Sequence, residues 1–169
     1  MRPKTDGSFE FSGAPPATYR LTVNGLPAGY YLKSARLGGV DVLDAGVSLD
    51  STNPGLLDVV LASPGGTISG EVREGGQVAV GVVYVAPEPL RPNRPDLFFS
   101  RSTNDDGTFT FAGMPPGNYR LFAFREPDPN LLSNPALFLP YEAKSESVSV
   151  DDGASQSVQL ELISASAER

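Results

Sequence analysis

The side chains of this sequence best suited to holding a ligand fall into two sets. Asn104, Asp105 and Asp106 stand together, and Asp151 and Asp152 follow later. Carboxylate and amide oxygens are hard donors and suit calcium, which takes about six to eight of them. The spacing lacks the alternation and distal Glu of a calcium loop, and Asn or Asp beside Gly107 serves a turn equally well by bonding its own backbone. The second set is aromatic: Tyr30 with Tyr31, and Phe98 with Phe99. Neighbouring side chains on a strand take opposite faces, so one ring of each pair must face away from its own core. These four rings are the candidate contacts for a protein or a sugar, although the absence of Trp counts against a sugar platform.

Catalytic chemistry has little to draw on. There is no Cys and no His, which removes thiol nucleophiles, the Ser-His-Asp arrangement, the usual zinc ligand sets and disulfides. The remaining Asp and Glu are scattered through turns and do not converge. The expectation is a non-enzymatic chain without a cofactor.

Composition narrows the partners. The 169 residues carry a net charge of −7, the opposite of a nucleic-acid footprint. No apolar run approaches the ~20 residues of a membrane span. Apolar residues make up 40%, enough for a core, and the 18 Gly and 16 Pro suit short strands joined by tight turns. The lack of Cys fits a bacterial envelope or secreted protein. The segment Met1-Arg-Pro-Lys4 has no apolar core of an export signal, so an extracytoplasmic protein would carry that signal outside this chain.

The elements that must position these side chains are organised around Asp106-Gly-Thr-Phe-Thr-Phe-Ala-Gly-Met-Pro-Pro-Gly-Asn-Tyr-Arg-Leu121. Phe109 and Phe111 alternate along one strand. Pro115-Pro116-Gly117 reverses the chain, with Gly117 free to take the positive φ of a type II turn. Tyr119 and Leu121 open the next strand. The same block occurs 100 positions earlier as Asp6-Gly-Ser-Phe-Glu-Phe-Ser-Gly-Ala-Pro-Pro-Ala-Thr-Tyr-Arg-Leu21. The register continues: Val47–Asp50 aligns with Val148–Asp151, and Leu57, Val59 and Leu61 align with Val158, Leu160 and Leu162. A repeat of this length is a small domain, not a solenoid unit. The expected division is a partial module at 1–63 and a complete one at 64–169, joined by Ser63-Pro64-Gly65-Gly66.

Period-2 patterning predicts strands at Phe9–Phe11, Tyr19–Val23, Tyr30–Leu37, Val40–Leu43, Val47–Leu49 and Leu56–Ala62. In the second module it predicts strands at Ile68–Val72, a long central one at Val78–Ala86, then Leu97–Ser102, the repeated block, Val148–Val150 and Val158–Ile163. Pro87–Asp96 reads as a stiff loop, Glu126–Ala143 as an apolar insertion with one helical turn packed over one end of the sandwich, and Ser164–Arg169 as a tail. The expected core is Ile68, Val72, Val82, Tyr84, Phe109, Phe111, Tyr119, Leu121, Val150, Leu160 and Leu162. Tyr19 and Tyr119 should each close a strand corner with the hydroxyl on backbone.

The repeated block, with Gly66-Thr-Ile-Ser-Gly-Glu-Val72 and Val80–Val85, resembles the carboxypeptidase regulatory-like domains. These are transthyretin-like (prealbumin-like) β-sandwiches repeated in bacterial envelope and secreted proteins. The resemblance covers residues 66–163 as a whole and only the second half of the pattern in residues 5–62. It implies an all-β chain of tandem Greek-key sandwiches, about seven strands per complete module, acting as spacer, stabiliser or binding module. The wider fold includes starch-binding-like carbohydrate modules, which is the alternative function. Related collagen-adhesin repeats carry a Lys–Asn isopeptide bond, but Lys4, Lys33 and Lys144 all lie outside the opening strand of the complete module.

The first module has only five residues ahead of Asp6, where the second has 40 ahead of Asp106, from Gly66 to Asp105. It lacks the opening strands, and exposed strand edges seek another strand. The expected partners are therefore proteins: neighbouring domains, another copy, or another chain adding a strand.

Overall fold

A computed structural model describes residues 4–49 and 55–164. The expected tail beyond Ser164 and the Asp50 end of the repeated Val47–Asp50 segment lie outside the described residues. The described chain is mostly β, with 13 strands in three sheets and few helical turns.

The largest sheet has eight strands. Its path runs β10 (Thr108–Met114), β6 (Gly66–Glu74), β13 (Ser155–Ile163), β11 (Gly117–Phe124), β8 (Val82–Pro87) and β9 (Phe99–Ser102). Off this path, β12 (Glu146–Val150) pairs with β11, and β7 (Gln77–Val78) pairs with β6. The strand β13 runs parallel to β6 as far as Glu161 and then parallel to β11 through Leu162 and Ile163. The sheet folds over at that seam, so its halves face each other. Between them lies one buried cluster that includes Ile68, Val72, Val83, Val85, Phe109, Phe111, Tyr119, Leu121, Val150, Leu160 and Leu162. Each such side chain, taken fully out of water, contributes about 1.5–3 kcal/mol.

Two expected core members sit elsewhere. The run Val78–Ala86 is not one strand: pairing covers β7 and β8 only, with Gly81 between them. In β8, Val83 and Val85 face the main cluster, whereas Val82 and Tyr84 face a second one with Ala86, Phe122, Phe124, Leu131 and Phe138. Both faces of β8 are buried because residues 126–144 cover the outer one. This insertion folds as a short helix α1 (Asn130–Ser133) and 3-10 turns from Pro135 to Lys144. Phe138 stacks on Phe122 at 4.7 Å, and Tyr141 meets Phe124 edge-on at 5.0 Å. The uninterrupted apolar run Val82–Ala86 is that of a strand buried on both faces, but it does not say which of its residues face which cluster. The insertion thus covers the outer face of β8 and β11 and not one end of the sandwich.

Residues 17–62 form two small sheets. The strand β1 (Ala17–Tyr19) pairs with β4 (Val47–Leu49), and β2 (Tyr31–Leu37) pairs with both β3 (Val40–Asp41) and β5 (Leu57–Ala62). They share a smaller cluster built on Leu32, Ala35, Val42, Leu43 and Val47. The expected Phe9–Phe11 strand does not form, since no described residue offers it a ladder, and β1 stops before Leu21 and Val23. The Pro-Pro-Gly turn also differs from type II. Gly117 has φ 155°, far from the value near +80° of that turn, and the left-handed residues of the block are Gly107 at φ 74° and Gly113 at φ 73°.

Candidate functional site

The polar chemistry of the molecule gathers where residues 31–44 meet the loop after β8. A cleft of about 750 Å³ opens there, lined by Tyr31, Asp44, Arg91, Arg94, Tyr119 and Asp152 among others. Tyr31 opens β2, and its alternation turns the ring inward until it is 5% exposed. Its hydroxyl donates to Asp152 Oδ1 at 2.6 Å, across 121 positions of sequence. Burial and the adjacent carboxylate push the Tyr31 phenol up to about 12, so it remains a neutral donor.

Arg91 reaches Asp44 with a forked ion pair, Nε donating to Oδ1 at 2.9 Å and Nη2 to Oδ2. That hydrogen bond holds the Asp44 carboxyl below its ordinary range. Arg20 Nη2 donates to Asn93 Oδ1 at 3.1 Å, and Gly65 N donates to Gly29 O at 2.8 Å. Deeper in, Arg94 is 6% exposed and grips Asp96 through Nε at 2.9 Å and Nη2 at 2.8 Å. On the far rim, Glu88 accepts from Arg120 Nε at 2.9 Å and Nη2 at 2.6 Å, and from Ser147 Oγ at 3.1 Å.

These partners decide what the cleft can do. A general base or nucleophile needs a group held ready for a reacting atom. Here the arginines and their carboxylates satisfy one another, and three of the contacts tie residues 20–44 to residues 91–152. The geometry suits fastening. Nothing local in the sequence marks Arg91 and Asp44 as partners, because they stand 47 positions apart in unrelated turns.

The expected ligand residues are dispersed. Asp106 Oδ1 accepts from Thr108 N at 3.0 Å and Thr108 Oγ1 at 2.6 Å, and Asn104 Nδ2 donates to Thr108 Oγ1 at 2.9 Å. This is the turn chemistry that the sequence also allowed. Asp105 lies exposed in the same turn. Asp151 and Asp152 sit at the other end of the sheet: Val72 N bonds Gly107 O, whereas Gly66 lies against Asp151 O. Six residues of strand separate these ends, roughly 20 Å. Among the described residues, no group of three or more acids, His or Cys is placed to hold a metal.

The aromatic pairs divide as alternation requires, yet three of the four rings are taken by packing. Tyr31 is buried, with its hydroxyl on Asp152. Phe98 is half-buried against the insertion cluster, and Phe99 is half-buried with its ring 6.3 Å from Phe111. Tyr30 alone stays open, at 43% exposure. The two tyrosine corners take the geometry expected of them: Tyr19 and Tyr119 each donate a hydroxyl to the backbone oxygen four residues earlier, Pro15 and Pro115, both at 2.8 Å. Among the described residues, no helix is long and apolar enough to cross a membrane.

No protein-family model matches this sequence, and no curated protein matches it. Solved structures do show distant similarity. A DUF3823 family protein from Parabacteroides merdae is 20% identical with a TM-score of 0.40, over 59% of this chain and 46% of its own. A candidate carbohydrate-binding protein from Pseudomonas aeruginosa is 16% identical with a TM-score of 0.39, over 57% of this chain and 88% of its own. The major pilin subunit of Bacillus cereus is 8% identical with a TM-score of 0.39, over 79% of this chain and 56% of its own. The chain thus spans about half the length of the first and third of these. The similarities are to bacterial β-sandwich proteins.

Proposed function

We propose that this chain is a non-catalytic β-sandwich element of a larger extracytoplasmic protein, a structural spacer that also contacts other proteins. In this reading residues 1–63 and 64–169 are two related modules held as one stiff unit. The observation that carries it is the joint: Tyr31 to Asp152, Arg91 to Asp44 and Arg20 to Asn93 all cross between the two parts. A short linker of turn formers supports the same conclusion. A spacer needs this fixed relation, whereas a hinged enzyme needs a cleft whose groups are not already mutually satisfied.

Small-angle scattering tests the reading. The wild-type profile should fit a single rigid arrangement, and a Tyr31→Phe/Arg91→Ala double variant should broaden its distance distribution. A wild-type profile that fits two freely jointed bodies would overturn it. Turnover of a panel of ester, glycoside or peptide substrates by the purified chain would overturn the non-catalytic part.

The openness of Tyr30 favours a second reading, carbohydrate binding in the manner of starch-binding-like modules. Glycan-array binding that is lost in Tyr30→Ala would establish it in place of the first.

A further inference from the structure

The residues of the repeated block line a second cavity, an apolar groove of about 640 Å³ between Phe9, Phe11 and Tyr19 on one side and Leu37, Leu56 and Leu57 on the other. The matching positions in the second block are Phe109, Phe111 and Tyr119, all buried beneath Ile68, Val72, Val83, Val85 and Leu97. There β6 lies between β10 and β13, pairing with both. In the first part, Leu57, Val59 and Leu61 of β5 stand in sequence register with Val158, Leu160 and Leu162 of β13. Among the described residues, no strand lies between β5 and residues 8–12.

We propose that this groove binds an extended strand of a separate polypeptide, with the pattern aliphatic, cationic, Gly, any residue, aliphatic. The proposal rests on the two-module reading above and names the partner of that reading.

The pattern follows from the pairing of β10 with β6. Phe111 stands opposite Ile68, Thr110 opposite Ser69, Phe109 opposite Gly70 and Thr108 opposite Glu71. Transferred by 100 positions, Phe11 faces the first aliphatic residue and Phe9 faces the glycine. A side chain on Gly70 would meet Val158 O at 1.9 Å and the Phe109 ring at 2.9 Å, so a strand wedged between a phenylalanine and its other neighbour needs glycine there. Charge sets the position between. Glu10 occupies the place of Thr110, is exposed, and has no ion pair among the described residues. A Lys or Arg directly opposite complements it, and a carboxylate there repels it. The acceptor is already shaped: its flanking turns, Gly7 at φ 81° and Gly13 at φ 71°, match Gly107 at 74° and Gly113 at 73°. Strand addition of this kind takes its affinity from backbone pairing and its selectivity from alternate side chains.

The test uses the full chain and two synthetic peptides of residues 66–74, one carrying Ser69→Lys and one Ser69→Glu. Titration calorimetry should give one lysine peptide per chain, with the glutamate peptide weaker by roughly tenfold. Hydrogen exchange should slow at residues 8–12 in the complex. Phe11→Glu should abolish binding without moving the thermal midpoint, since that ring is 60% exposed. Failure of both peptides to bind, protection elsewhere than residues 8–12, or dimerisation of the chain through the groove in light scattering would each overturn the proposal. Scattering from a rigid unit, together with no peptide binding, would sink this inference and leave the spacer reading standing. Freely jointed scattering with peptide binding would do the reverse.

Discussion

Phe111 is 5% exposed and Phe11 is 60% exposed, yet the blocks that carry them share their local geometry. Asp6 Oδ1 accepts from Ser8 N at 2.9 Å, as Asp106 Oδ1 accepts from Thr108 N at 3.0 Å. The two phenylalanine pairs have centroids 5.6 Å and 6.0 Å apart. Tyr19 pairs across to Val47 as Tyr119 pairs across to Val148. Contacts within about five residues therefore set the backbone of the block, with or without a ladder beside it. What they do not set is burial. That is decided by β6 and β8, which cover the second block and have no counterpart over the first among the described residues.

Matched substitutions in the two blocks test this contrast. The largest difference should come from the rings. Phe111→Ala should cost ~3–5 kcal/mol in denaturant unfolding, from lost transfer energy and a cavity, and Phe11→Ala should stay within ~0.5 kcal/mol as a surface change. Equal losses would show Phe11 to be covered in solution. Next come the turn glycines. Gly7→Ala should cost about 1–2 kcal/mol, the left-handed backbone penalty alone, since nothing lies within 4 Å of the added carbon. Gly107→Ala should cost more, because that carbon would meet Ala79 O at 2.8 Å and Val72 O at 3.1 Å.

The corner hydroxyls should differ less. Tyr119→Phe leaves a buried carbonyl unpaired and should cost ~1–3 kcal/mol, whereas Pro15 O can turn to water and Tyr19→Phe should cost ~0.5 kcal/mol. Smallest is the acid limb. Hydrogen bonds from Ser8 and Thr108 hold Asp6 and Asp106 below the ordinary 3.8. A lowered folded-state value stabilises the fold above 3.8, and the gain disappears as pH falls through the folded value. Asp6→Asn and Asp106→Asn should flatten thermal midpoint against pH alike below about pH 4, because this chemistry is common to both blocks.

The comparison also explains what the sequence could and could not convey. The corner tyrosines, the Asp-Gly turn and the strands of residues 99–124 were legible because their determinants lie within a few residues. The long-range contacts of the cleft were not: Tyr31 finds Asp152, and Arg91 finds Asp44, only after the chain has folded. The facing of Tyr84 is not legible in β8, because a continuous apolar run shows burial on both faces without saying which face residues 126–144 cover. The aromatic pairs are two-faced, as neighbouring residues on a strand must be, but for Phe98 the second face is packed and not open.

The parallel seam at β13 has a consequence for how the protein is made. This strand is the last of those described, and it stands between β6 and β11. With translation at roughly 5–20 residues per second, β6 is complete on the order of ten seconds before its neighbour exists. The antiparallel pairings of β10 with β6 and of β11 with β8 can form in that interval, but the edge that β13 will occupy stays open, with Ile68 and Val72 beside it. Closure is therefore a late, long-range event of the slow kind. Chaperone demand should peak while residues 75–154 are being synthesised, and a nascent chain arrested before Ser155 should bind more of a hydrophobic dye than the finished chain does.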